Sequence, residues 1–141
     1  MSKVKKAAEK HSKGYNCAQA VTCSFCEEID IDENVAVQIS KKYGGGAYQI
    51  CGAVMGMYII NNFMNGERNF ENPAEWKTHN SEQLIELEKT FKDKNGSVIC
   101  SELRGLCGNR VLRSCRGCVE DAAEILEEWF EKHKRDIKEM I

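Results

Sequence analysis

Apolar residues recur every three to four positions along most of this chain, a spacing that predicts an almost wholly helical protein. Val4, Ala7, Ala8 and His11 form the stripe of a first helix over 2–12, which Gly14 ends. Asn16 is a good N-cap for a second helix over 17–28, and Asp32 for a third over 33–43 carrying Val35, Val37 and Ile39. The run Gly44-Gly45-Gly46 stops that helix. A fourth, over 51–64, is apolar on nearly all sides and therefore belongs in the middle of a bundle. Asn72-Pro73 predicts the start of a fifth, with Trp76, Leu84, Leu87 and Phe91, ending before Asn95-Gly96. A short helix at 101–104 follows, then an irregular stretch to about 115. The last helix runs over 116–139, with Val119, Ala122, Ala123, Leu126, Phe130 and Ile137 at heptad-like spacing. The expected architecture is all-α: one domain over 1–141, an antiparallel helical bundle of five to six helices around a central apolar helix.

Composition adds limits. The 141 residues are 42% hydrophobic and 30% charged, enough for a core without disulfides. A net charge of −2 argues against nucleic acid or an anionic membrane as partner. The longest apolar stretch, 50–64, is shorter than the roughly 18 residues that a membrane span needs. No apolar signal segment follows Met1, so the expected location is cytoplasmic. The Ser-His-Asp and phosphate-loop signatures of hydrolases and kinases are absent.

Eight cysteines, at 17, 23, 26, 51, 100, 107, 115 and 118, change the picture. In a reducing compartment such a set points to metal binding or thiol chemistry rather than a disulfide framework. Cys17, Cys51, Cys100 and Cys115 each fall at a predicted helix start. There, unpaired N–H groups and the positive end of the helix dipole favour a thiolate, which is both nucleophile and metal ligand. These four are the candidate metal and cofactor ligands, expected to converge and to ionise below an ordinary thiol. Cys23, on the apolar face of the second helix, is expected to be protonated core; Cys107 could serve either role.

Cys23/Cys26 and Cys115/Cys118 are spaced Cys-x-x-Cys, too far apart to form a common zinc module. The second pair sits at a helix start, the position of redox-active dithiols, so Cys51, Cys115 and Cys118 are the redox candidates. Glu27 and Val119 stand where a c-type haem motif requires histidine, which excludes attached haem. Gly45 and Gly46 could bring backbone close to a ligand, and Gly52 and Gly56 share a helix face that admits a neighbouring helix or a cofactor. His11, His79 and His133 have no second ligand at helical spacing and read as surface or core residues.

Taken together, the segments Gly14-Tyr15-Asn16-Cys17-Ala18-Gln19-Ala20-Val21, Gly44-Gly45-Gly46, Cys51-Gly52-Ala53-Val54-Met55-Gly56, Cys100-Ser101-Glu102-Leu103, and Cys115 ahead of Val119-Glu120-Asp121-Ala122-Ala123 resemble a known family. It comprises redox-active cysteine-rich proteins labelled by the pattern C…GCAxxG…C…C, although here the central motif reads Cys-Gly-Ala-x-x-Gly. The last family cysteine is assigned to Cys115 by its spacing to the Val-Glu-Asp-Ala segment. Family members are often encoded near transporters or oxidoreductases, so the resemblance implies a redox partner protein or such a system. A similar domain occurs in split-Soret cytochromes c, which are dimeric and carry an iron–sulfur centre beside haems whose binding part this chain lacks. The resemblance thus implies a homodimer and an iron–sulfur cluster or other metal on Cys17, Cys51, Cys100 and Cys115. Three functions follow: a cysteine-ligated iron–sulfur centre in electron transfer or sensing, thiol–disulfide chemistry using Cys115 with Cys118 or Cys51, or a zinc module without turnover. Whether the protein is an enzyme stays open.

Overall fold

The computed structural model describes residues 2–66, 68–75, 81–106, 108 and 110–140, with the side chains of 81 and 133–140 left aside. The described residues form seven α-helices, α1 (Lys3–Ser12), α2 (Cys17–Ser24), α3 (Glu33–Ser40), α4 (Gly52–Met64), α5 (Ser81–Asn95), α6 (Cys100–Leu103) and α7 (Cys115–Met140). The all-α class agrees with the periodicity, with seven helices in place of five to six. Among these residues the only extended pairing outside named strands is a single antiparallel bridge, Ile50 to Ile99. No described helix is long and apolar enough to cross a membrane.

Every residue of α4 from Gly52 to Phe63 is buried, which places this helix at the centre. Met57, Ile59 and Ile60 are fully enclosed, and burying each such side chain contributes about 1.5–3 kcal/mol. Helix α2 packs on α4, α7 on both, and α1 on α2 and α7. The backbone N–H of Val4 donates to Glu127 Oε1 at 3.2 Å, so a carboxylate from α7 closes the start of α1. Phe25 stacks on Phe130 with ring centres 5.5 Å apart.

The approach of α2 to α4 depends on two glycines. A Cβ at Gly56 would stand 2.8 Å from Val21 Cβ, and one at Gly52 would stand 3.0 Å from Cys17 Cβ. Both gaps are below any normal carbon contact, so the small residues are what let the two helices touch. The space that the sequence assigns to a helix or a cofactor is taken here by α2.

Several expected boundaries differ. The second helix stops at Ser24 and not at 28, and Cys26 therefore lies in a turn, not in mid-helix. This turn lets both Phe25 and Ile29 enter the core, while Arg68 donates to the carbonyls of Ile29 and Asp30. The third helix ends at Ser40 and tightens into a 3-10 turn over Lys41–Tyr43; its Val35 is exposed. Asn72-Pro73 does not start a helix. Residues 71–75 form bends and turns instead, where Asn62 Nδ2 donates to the carbonyls of Pro73 and Glu75, and Lys42 Nζ to that of Glu71. Trp76 and His79 lie outside the described residues, as does the side chain of Ile137.

Replacing Gly56 with Ala is expected to destabilise the fold. Overpacking costs about 1–3 kcal/mol, against a gain of up to about 1 kcal/mol from helix propensity. Urea unfolding checks it, and trimming Val21 to Ala in the same chain should recover part of the loss. Additive single losses would show that the two residues do not meet.

Candidate functional site

Five cysteines from four helices line one small cavity of ≈ 30 Å³, with room for a water molecule or two. They are Cys17, Cys51, Cys100, Cys115 and Cys118. Local structure places each. Asn16 and Gln19 form a reciprocal capping box that opens α2 at Cys17, and Asn16 Nδ2 also donates to the Lys41 carbonyl at 2.9 Å. Cys51 is the N-cap of α4. The N–H of Cys51 donates to Val98 O at 2.7 Å and that of Cys100 to Gln49 O at 2.8 Å, so the Ile50–Ile99 bridge holds these two cysteines diagonally across it on the same cavity. Ser114 opens α7, its Oγ accepting from the Gly117 N–H at 3.0 Å and its carbonyl from the Cys118 N–H at 2.9 Å. Cys115 and Cys118 then share the first turn.

The three candidate glycines also line the cavity. A Cβ on Gly46 would meet Cys100 Cβ and Sγ at 2.9 Å, so only a glycine lets the loop close over that thiol. Gly46 has a φ of +75° besides, which other residues rarely adopt. Two arginines reach the same place. Arg104 lines the cavity together with Cys100. Arg113 lies across Gly117 and is held by Asp121, with Nε to Oδ2 at 3.0 Å and a terminal nitrogen to Oδ1 at 3.3 Å.

The expected ionisation of all helix-start thiols does not hold. Burial pushes Cys17 up to about 12, helped by the neighbouring thiols of Cys51 and Cys115. Burial also raises Cys100, although Arg104 opposes it. The four-residue α6 is too short to carry much dipole, and α2 cannot offset the loss of water around Cys17. Cys51 is the exception. The neighbouring Cys118 thiol, with the backbone N–H groups of Ala53 and Val54 at the helix start, holds the Cys51 pKa below the ordinary value despite burial. Cys118 is raised by its neighbour Cys51 and by burial.

Cys23 is buried in α2, and burial raises its thiol to about 12, in line with a protonated core residue. Neither Cys23 nor Cys26 lines the cavity, and Cys107 lies outside the described residues. One neighbour goes beyond the sequence reading: His11 Nε2 is 3.8 Å from Cys17 Sγ, and its buried Nδ1 has no hydrogen-bond partner. The signal was its place on the inward stripe with Val4, Ala7 and Ala8. Among the described residues, no three His, Cys, Asp or Glu side chains stand in a metal-ligating arrangement.

The family model described as "Putative redox-active protein (C_GCAxxG_C_C)" matches residues 15–129, a span that holds all five pocket cysteines. The chain belongs to this family. No curated protein and no solved structure matches it. The C_GCAxxG_C_C span takes in Cys118 as well as Cys115, and in this member both face the cavity.

If Cys118 is what holds Cys51 toward the thiolate, Cys118→Ala should raise the pH midpoint at which Cys51 is alkylated. Mass spectrometry of reduced, metal-free protein follows each site, comparing midpoints and not rates. In the parent protein Cys51 should ionise at lower pH than Cys23; an unchanged Cys51 midpoint in the variant would remove Cys118 from this role.

Proposed function

We propose that this chain is a thiol redox protein whose working couple is Cys51 and Cys118. What supports this reading is that both thiols line the one small cavity, with Cys51 tilted toward thiolate at the start of α4 and Cys118 kept as the thiol. A thiolate with an adjacent thiol is what thiol–disulfide exchange requires. On oxidation the two S–H equivalents become one S–S bond, and two electrons pass to the acceptor. Stabilising the reduced form makes the disulfide easier to reduce, as in the oxidising members of the dithiol proteins. The couple differs from the Cys115 pairings expected from sequence in taking Cys118, whose thiol acts on Cys51, as the partner.

A second reading is favoured by a separate observation: the thiols of Cys17, Cys51, Cys100 and Cys115 come from four different helices to one cavity. In number and kind they fit an iron–sulfur cluster, which would supply one-electron transfer when bound; zinc would use the same set. Against this stands their arrangement, with no three of them in a ligating array among the described residues.

Equilibration of metal-free protein in glutathione redox buffers tests the first reading. A single two-electron transition is expected between about −270 and −120 mV, absent in Cys51→Ser and Cys118→Ser but kept in Cys23→Ser. Protein purified without oxygen should show neither visible absorbance nor bound iron or zinc. Stoichiometric iron with a visible charge-transfer spectrum would favour the cluster, and stoichiometric zinc the colourless site.

A further inference from the structure

Cys51 and Cys118 are only 4% and 2% exposed, so no external disulfide can reach either sulfur directly. Electrons must cross to the surface through another thiol. Cys100 is placed for this. It is half-buried, and it lines both the thiol cavity and a larger outer groove of ≈ 230 Å³. Cys100 is the one cysteine of that groove among the described residues.

The groove has a definite chemistry. Gly45, Gly46 and Gln49 form one wall, with Leu106, 64% exposed, on the rim. Arg104 lines both spaces together with Cys100. No aspartate or glutamate is among the lining residues. A guanidinium beside a reachable thiol suits a carboxylate-bearing ligand, since arginine binds carboxylates in paired hydrogen bonds. The volume lies at or below the small end of ligand pockets, enough for part of a small molecule.

We propose that the outer groove binds a small carboxylate-bearing disulfide and that Cys100 is the thiol which first exchanges with it, a step that rests on the Cys51–Cys118 couple proposed above. The Cys100 thiol attacks one sulfur of RS–SR. A Cys100–S–S–R bond forms, the RS–SR bond breaks, and the Cys100 proton leaves with RSH. The Cys51 thiolate, which lines the same cavity as Cys100, then attacks Cys100 Sγ and releases RS⁻. Cys118 next attacks Cys51 Sγ, its proton passing to the freed Cys100 sulfur. In sum, one external disulfide gains two electrons and becomes two thiols, while Cys51 and Cys118 become one disulfide.

Each intermediate can be stopped. Reduced protein is mixed with oxidised glutathione, quenched in acid and mapped by mass spectrometry. Cys51→Ser should retain one glutathione on Cys100. Cys118→Ser should stop at a Cys51–Cys100 disulfide, and the parent chain should end at Cys51–Cys118 with free Cys100. Oxidation of Cys100→Ser by glutathione should slow at least about tenfold. The preference for oxidised glutathione over neutral hydroxyethyl disulfide should fall about tenfold in Arg104→Gln, the size expected for a charged hydrogen-bonded pair. A glutathione adduct on another cysteine, or an unchanged preference, would overturn the proposal. So would a parent chain oxidised only by protein disulfides. Treatment with diamide separates the two levels: if it forms the Cys51–Cys118 bond while glutathione leaves no mark on Cys100, the groove fails and the couple stands. If diamide forms no such bond, the couple itself fails.

Discussion

The contact of α2 with α4 across Gly52 and Gly56 sets the geometry of everything at the cysteine end of the molecule. A side chain at Gly52 would press on Cys17 Cβ and on the backbone of Ala18 and Gly44, and one at Gly56 on the Val21 side chain. Close approach brings the N-terminal ends of both helices to the same level. The loop ahead of α4 then lies against the segment ahead of α6, where a pair of backbone hydrogen bonds holds Cys51 and Cys100 on the same cavity. Helix α7 enters from the other side, packed on both α2 and α4, and adds Cys115 and Cys118. Residues nearly a hundred positions apart thus share one cavity because of packing between apolar faces, with no crosslink needed.

Within that cavity, burial and helix-end polarity oppose each other. A helix start favours a nearby negative charge by about 0.3–1 kcal/mol, rising to about 2 where partly buried, whereas losing water can raise a thiol by several units. Cys17 shows burial winning, and Cys51 shows the reverse because a second thiol acts on it in addition to two backbone N–H groups. A cavity in which every thiol were ionised would be strongly self-repelling. Pairing one tilted thiolate with one protonated thiol avoids this and leaves the couple ready for exchange.

Much of this was legible in the sequence. The period of α4 and its lack of a polar face marked it as central, and the glycine and asparagine signals placed Cys17 and Cys51 at helix starts. What could not be read was which thiol meets which. The partner of Cys51 follows from how the first turn of α7 faces α4, and no local signal encodes that rotation. Cys115 drew attention by its position, while Cys118, one turn further in and more deeply buried, lines the same cavity. The false helix start at Asn72-Pro73 has a similar origin, since it is the amide of Asn62, from α4, that donates to the carbonyls of Pro73 and Glu75. His11 reads from sequence as a surface or core residue on the first stripe, and its contact with Cys17 depends on the path of the turn at Gly14.

Disulfide mapping of the parent chain after oxidation by one equivalent of diamide bears most directly on the Cys51–Cys118 pairing. Trypsin cuts after Arg116 and so separates Cys115 from Cys118, which makes the assignment unambiguous. The expected product links the peptide 43–68, carrying Cys51, to the peptide 117–132, carrying Cys118. A link from Cys118 to Cys115, or from Cys23 to Cys26, with Cys51 left free, would contradict it.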